Sequence, residues 1–379
     1  MVSPWIVWSG VALTACTMVY SVFAWVAVLT RIRPSGRRFA KMAAVTIFKP
    51  LCGAEPETYD CLRSFCDQDY PNFQVVFGVA DAFDPVVAIV QRLQREFPHR
   101  DIDLVIDRRQ HGSSRKVSNL ANMMTRARHE VFVISDSDVR VGRDYLARVV
   151  APLSNPDVGI VTCPYRGVPR SGLWPLMGSL FINEWFIPSV RVAALGGSRS
   201  FAFGSTIAIN RRVLTRIGGF AAIANQLADD YRLGEMTRAL GLKTVLSDVV
   251  VETSVVESSF GELVRHELRW LRTIRAVRPV GYGLSIVTFG VPVAAFGVLL
   301  SGGAAPAGAM LAVTMLARVF LHFSTRAPQS KARQLLALPF RDVLSVALWS
   351  WSFATRRVHW RNDHYQVNRD GSVLPVVRA

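Results

Sequence analysis

Val131-Phe132-Val133-Ile134-Ser135-Asp136-Ser137-Asp138 carries four apolar residues straight into two carboxylates one residue apart. In extended chain, residues two apart point the same way. Both carboxylates could then reach one hard divalent cation that bridges a diphosphate. Mg²⁺ or Mn²⁺ there would neutralise charge on a nucleotide leaving group. The bland alternative is a solvated turn after a strand. A strand end in mid-domain favours the chemical reading.

Outward from this stretch, β- and α-type patterns alternate over residues 43–278. Strands are expected at 45–48, 73–81, 104–107, 131–135, 159–163 and 202–209, and helices at 57–68, 85–96, 116–127 and 227–240. Such alternation predicts an α/β domain, a mainly parallel sheet with helices on both faces. Ligands of such sheets bind beyond the carboxyl ends of the strands, so acids at strand ends are the place to look.

Three more clusters could carry chemistry. Asp81 and Asp84-Pro85 follow a strand and precede a helix. Asp84 could cap that helix, with proline at its first position, and Asp81 could accept hydrogen bonds from a nucleoside. Asp229-Asp230 opens a helix, where two acids usually serve the helix dipole. A displacement that inverts the anomeric centre of a sugar, however, needs a carboxylate to deprotonate the attacking hydroxyl, and Asp230 is the candidate. Arg265, Arg269 and Arg272 run beside an apolar stripe of Val264, Leu268 and Leu271 on a helix approaching a membrane segment. A juxtamembrane amphipathic helix binding anionic headgroups accounts for part of this. Arg269 could also hold a departing diphosphate, with Trp270 against the acceptor or the sugar. Lys49-Pro50-Leu51-Cys52-Gly53 follows the first strand, and Arg115-Lys116 with Asn119 opens a helix where nucleotide phosphates could bind.

The chain has 379 residues, half of them apolar, a mean hydropathy of +0.26 and a formal charge of +16. Cys16, Cys52, Cys61, Cys66 and Cys163 form no CxxC pair and have no histidines at zinc spacing, which predicts neither a disulfide framework nor a structural metal and fits a reducing cytosol. Basic residues gather beside apolar runs, at Arg31, Arg33, Arg37, Arg38 and Lys41, through 265–278, and at Arg356, Arg357 and Arg361. That placement suits anionic headgroups at the cytoplasmic membrane surface, at about 1 kcal/mol per nearby cation. No basic stripe with interleaved aromatics is present, so a nucleic-acid partner is not expected.

Residues 4–30 carry no charge, enough for a membrane span without the basic n-region of a signal peptide. The arginines that follow place the next domain in the cytosol. Apolar runs at 280–300 and 304–323 read as a hairpin returning to the cytosol near Arg326, Lys331 and Arg333. Arg318 and His322 near its inner end could snorkel or face the protein. The run 335–354 is interrupted by Arg341-Asp342 and reads as short re-entrant or interfacial helices. The expected organisation is an anchor over 1–30, a cytosolic catalytic domain over 43–259, an interface helix over 260–278, a hairpin over 280–323, and interfacial helices with a basic tail over 335–379.

In order, Lys49-Pro50-Leu51-Cys52-Gly53, Asp69-Tyr70-Pro71, Asp81 to Asp84-Pro85, Lys116 with Asn119-Leu120, Asp136-Ser137, Asp229-Asp230-Tyr231 and Arg269-Trp270 resemble the family-2-like glycosyltransferases, most closely the ceramide glucosyltransferase family. The tail Trp360-Arg361-Asn362 with Tyr365 is similar too. The stretches around Lys49 to Pro56, Arg115 to Asn119 and Arg265 to Trp270 look most like a bacterial hopanoid-associated branch. The resemblance implies a GT-A (Rossmann-like) fold and inverting, metal-assisted transfer from a UDP-sugar. It places the family's three aspartate motifs on Asp84, Asp136 and Asp230. The family's (Q/R)xxRW motif falls on His266 to Trp270, with His266 where the family has Gln or Arg. Asp230, Arg269 and Trp270 are then catalytic. Lys49, Pro50, Glu55, Asp81, Asp84, Lys116, Asn119, Asp136 and His266 bind the donor, and Asp136 with Asp138 holds Mg²⁺ or Mn²⁺. The branch implies N-acetylglucosamine transfer from UDP-GlcNAc to a hopanoid polyol such as bacteriohopanetetrol, at the inner membrane. Glucosylation of ceramide and a non-catalytic membrane scaffold are the alternatives. A processive synthase would want more spans.

Overall fold

The structure, a computed structural model, describes residues 3–30, 32, 42–198, 200–325 and 332–355, and the backbone of 357–360, 363–367 and 373–375. Arg31, Arg33, Arg37, Arg38, Lys41, Arg326, Lys331, Arg356, Arg361 and Asn362, to which the sequence gives membrane or motif roles, lie outside the described residues, as do the side chains of Arg333, Arg357, Trp360 and Tyr365.

The chain opens with an apolar helix α1 (Pro4–Leu29). A regular alternation follows: β1 (Val45–Pro50), α2 (Thr58–Cys66), β2 (Phe73–Val79), α3 (Val86–Glu96), β3 (Asp101–Ile106), α4 (Arg115–Met123) and β4 (Val131–Ile134). The middle region holds β5 (Val139–Arg140), α5 (Tyr145–Val150), β6 (Val158–Thr162), β7 (Tyr165–Pro169), α6 (Leu173–Phe181), a π turn (Ile182–Phe186) and α7 (Ile187–Leu195). Next come β8 (Ile207–Asn210), α8 (Arg211–Arg216), α9 (Asp229–Ala239), β9 (Lys243–Leu246), β10 (Val251–Val255) and α10 (Phe260–Val277). The last helices are α11 (Pro279–Leu284), α12 (Gly290–Leu300), α13 (Ala305–Ser324) and α14 (Leu338–Trp351).

Seven strands form one sheet in the order β3-β2-β1-β4-β8-β6-β9. All neighbours are parallel except β8, which runs antiparallel to β4 and β6. This is the GT-A-like α/β arrangement expected, with one reversed strand that periodicity does not reveal. Adjacent residues of β1 feed opposite faces: Val45 and Ile47 join one core with Val75, Phe77 and Val133, while Phe48 joins another with Val76, Phe132 and Ile134. Each such fully buried side chain contributes about 1.5–3 kcal/mol. Strands buried on both faces explain the unbroken apolar runs. A second small sheet, β5-β10-β7, sits beyond the carboxyl end of β4. Its strands mix polar and apolar residues and are only partly buried, so no apolar run marks them in the sequence.

A second layer is helical. α10 starts at Ser259, whose hydroxyl accepts the Glu262 N–H at 3.2 Å while Glu262 accepts the Ser258 N–H at 2.7 Å, a reciprocal cap. Val264, Leu268 and Leu271 are buried with α6 and α14, as the stripe predicts. α1 packs on α12 where small residues allow it: a Cβ on Gly297 would stand 2.7 Å from the Gly10 carbonyl oxygen. α1 and α13 are each long and apolar enough to cross a membrane. The run 280–300 differs from the single span expected. It bends by 80° at Phe289, and α12 alone is about 16 Å long. Gly290 and Pro292 mark the new helix start, because a proline in the first turn sacrifices no helical hydrogen bond.

Candidate active site

The carboxyl ends of β1, β2, β4 and β6 lie along one edge of the sheet, and the expected acids hang from that edge. Lys116, in the first turn of α4, reaches across it. Its Nζ lies 2.7 Å from Asp136 Oδ1 and 3.3 Å from Asp229 Oδ2. Burial opposes its charge, but Asp136, Asp229 and Asp230 outweigh burial and raise its pKa. Asp230 Oδ2 accepts the Gly204 N–H at 2.8 Å and Oδ1 accepts the Tyr231 N–H at 2.7 Å. Burial first, and then the charge of Asp229, push the Asp230 carboxyl up to about 6, with Lys116 and the two N–H groups restraining the rise.

Gly204 is the steric centre of this cluster. A Cβ there would stand 2.9 Å from Asp136 Oδ2, 3.2 Å from Lys116 Nζ and 3.5 Å from Asp230 Oδ2. Asp136 and Asp230 therefore face one another across a gap that only a hydrogen-sized side chain leaves open.

The expected alignment of Asp136 with Asp138 needs correction. The strand ends at Ile134, and Ser137-Asp138 form a turn, so the period-two argument lapses. Asp138 Oδ2 instead accepts the Thr253 hydroxyl at 2.5 Å. The two acids still sense one another: burial and then the charge of Asp136 raise the Asp138 pKa. Among the described residues no three His, Cys, Asp or Glu side chains converge as a metal cluster. What Asp136 and Asp138 offer is hard oxygen donors whose mutual repulsion a divalent cation relieves. Such a two-carboxylate set suits an ion whose remaining positions are filled by phosphate and water.

Two residues expected to touch a nucleotide do not reach the cleft. Lys49 is fully buried beneath it, over the Phe65 ring at 3.7 Å, and donates to the Asp136 carbonyl and to Ser135 Oγ. Burial lowers its pKa to about 8. It supports the backbone that carries Asp136. Asn119 faces inward from α4 and donates to the Gly78 carbonyl at 2.7 Å, tying that helix to β2. Sequence marks Lys49 at a strand end and Asn119 in the opening of a helix, but not which way either side chain points.

Asp84 does what a cap does and more: Oδ1 accepts the Val86 N–H at 2.9 Å, and Oδ2 accepts the Gly53 N–H at 2.8 Å, joining the loops after β1 and β2. Asp81 folds into a local turn through the Phe83 N–H at 3.0 Å. Pro50 ends β1, and the exposed Glu55 lies in the loop that follows.

At the other end, α10 brings His266, Arg269 and Trp270 toward the acids. His266 Nδ1 pairs with Glu257, and its ring lies 4.4 Å from Trp270. Trp270 also meets Tyr165 and Phe181 at 6.5 and 6.4 Å between centroids. Tyr165, at the start of β7, was not singled out by sequence. Burial raises its pKa, as do the charges of Asp230, Asp138 and Asp136, while Arg269 opposes them, so its phenol stays protonated among the acids. Gly204 and Thr253 were missed as well. A lone threonine carries no local signal, whereas a glycine inside the stretch 202–209, expected as a strand, could have flagged a close backbone approach; the strand itself is confined to Ile207–Asn210.

Residues 9–373 match the family described as Glycosyl transferase family 21. A "Ceramide glucosyltransferase" of Komagataella phaffii is 33% identical over 118 residues, 30% of this chain and 23% of that protein. "Ceramide glucosyltransferase 3" of Caenorhabditis elegans is 23% identical over 256 residues, 66% of this chain and 54% of that protein. The chain thus spans from a quarter to about half of the length of these relatives. Among solved structures, the mannosyltransferase PcManGT from Pyrobaculum calidifontis, in complex with GDP-Man and Mn²⁺, superposes with a TM-score of 0.55 at 21% identity, covering 92% of this chain and 95% of that one. That likeness establishes the GT-A-like fold.

Proposed function

Because the chain belongs to glycosyl transferase family 21, we propose that it moves a sugar from a UDP-sugar to a hydroxyl of a membrane lipid with inversion at the anomeric carbon. The observation that carries this reading is the meeting of Asp136, Lys116, Asp229 and Asp230 around Gly204, at the carboxyl edge of the sheet. Asp230 takes the proton of the attacking hydroxyl. The hydroxyl oxygen bonds to the anomeric carbon as the bond from that carbon to the diphosphate oxygen breaks. A carboxyl held near 6 is deprotonated at neutral pH yet basic enough to accept the proton. Lys116 balances the negative charge of the cluster. Arg269 meets the departing diphosphate, and Trp270 with Tyr165 walls the acceptor side. Asp136 and Asp138 would hold Mg²⁺ or Mn²⁺, which supplies charge neutralisation at the diphosphate.

In this reading residues 43–259 face the cytosol, α1 and residues 280–323 anchor them in the inner membrane, and 260–278 and 335–354 lie at the interface, with Arg265 and Arg272 toward anionic headgroups. Ceramide as acceptor and glucose as sugar are supported by the relatives' descriptions. N-acetylglucosamine transfer to a hopanoid polyol rests on motif resemblance alone, so the ceramide reading comes first.

A matrix of UDP-glucose and UDP-GlcNAc against ceramide and bacteriohopanetetrol, with full-length protein in lipid nanodiscs and Mn²⁺, reads the product by mass. Hexosylceramide is the expected product. N-acetylhexosaminyl hopanoid would reverse the choice of substrates, and no product or free UDP from any pair would favour a non-catalytic scaffold.

A further inference from the structure

Arg341 and Asp342, the adjacent charges that interrupt the last apolar run, have no part in the reaction proposed above. Both sit on α14 and point to different partners. Arg341 is 1% exposed and grips Glu267 as a fork, Nη1 to Oε1 and Nη2 to Oε2, both at 2.7 Å. Its remaining donors reach the Met177 carbonyl at 3.3 Å and Ser345 Oγ at 3.0 Å. Glu267 lies on α10 between His266 and Arg269, and turns away from the cleft as they line it. Asp342 accepts Arg318 of α13 at 2.9 and 3.0 Å. Arg318 also donates to Glu184 in the π turn, and Glu184 pairs with His322 at 2.7 Å.

Both routes end at the same ring. One runs through Glu267 to the helix that carries Trp270. The other runs through Glu184 to the segment whose Phe181 and Trp185 stack at 4.7 Å, with Phe181 facing Trp270. Stability alone gives no reason to keep these charges, because a buried ion pair is often replaced by apolar residues at no loss. Charges retained in an apolar layer point to a role in function. A two-pronged fork fixes orientation in a way that apolar packing does not.

We infer that Arg341 and Asp342 are positioning residues: they set the rotation of α10 and of the π turn, and so hold Arg269 toward the diphosphate and Trp270 on the acceptor side of the cleft. The inference rests on the transferase reading for its kinetic consequence, not for its geometric one.

The test uses full-length protein in nanodiscs. Arg341→Met combined with Glu267→Leu removes the fork as a pair, leaving neither buried charge without its partner. The expected double variant melts at or above the wild-type temperature. Its kcat falls at least about 30-fold on the productive donor and acceptor pair. Arg341→Lys, which keeps the charge and loses the fork, should also fold and should lose about 10-fold in kcat. A second readout needs no turnover. In 5-fluorotryptophan-labelled protein the ¹⁹F resonance of Trp270, assigned by its loss in Trp270→Phe, should shift or broaden in both variants. Wild-type protein without transferase activity would sink the function proposed above and leave the ¹⁹F arm to decide this one. A Trp270 resonance unmoved in a folded variant, or a kcat within twofold of wild type, overturns the positioning role.

Discussion

Asp230→Asn lowers the transfer rate by about 10³-fold or more, within the range that a positioned general base contributes. The amide is isosteric and can still accept one of the two N–H bonds, from Gly204 or from Tyr231. The other bond is lost, at about 1 kcal/mol of stability. UDP affinity should hold, because the Asp136 side of the cluster is untouched. The pH profile gives the same group a second signature. Burial and the charge of Asp229 raise the Asp230 carboxyl to about 6. The active, deprotonated form therefore dominates above pH 6, and kcat/KM falls tenfold per pH unit below it. An ordinary aspartate would keep the rate flat down to about pH 4. Rates measured from pH 5 to 8 check this. Substantial turnover in Asp230→Asn, or a flat profile through pH 6, removes Asp230 as the base.

Gly204→Ala is the second large effect, expected to cost at least about 100-fold in kcat with the fold retained. The backbone of Gly204 is not in the left-handed region, so the substitution brings no conformational strain. The whole effect comes from one methyl group set 2.9 Å from Asp136 Oδ2 and 3.2 Å from Lys116 Nζ. Either Asp136 and Lys116 separate, or the loop withdraws and the Gly204 N–H leaves Asp230. Both outcomes disturb the acids that the reaction uses. An unchanged melting temperature with the rate lost is the expected pattern. A rate within threefold of wild type would mean that the cluster is looser than the structure shows.

Sequence reads well where one physical signal dominates. The strands 45–50, 73–79 and 131–134 are buried on both faces and announce themselves as apolar runs. The helix that begins at Asp229 and the amphipathic stripe of α10 follow from dipole and periodicity. Direction is harder. Lys49 and Asn119 lie at the right places along the chain and point away from the cleft, because the sheet edge has an upper and a lower side that spacing cannot distinguish. Asp136 and Asp138 differ in orientation because a turn intervenes after Ile134. Non-local partners are harder still. Nothing near Arg341 indicates that Glu267 receives it, 74 residues away. Tyr165 and Gly204 matter only through what the fold brings to them.

The account depends on Asp136 and Asp138 holding a cation-bound diphosphate beside Asp230. Electron paramagnetic resonance of Mn²⁺, titrated into the full-length protein with and without UDP, tests this directly. The account predicts about one UDP-dependent Mn²⁺ per chain, weakened at least about tenfold by Asp136→Asn and by Asp138→Asn. Mn²⁺ and UDP binding unchanged in both variants would contradict it.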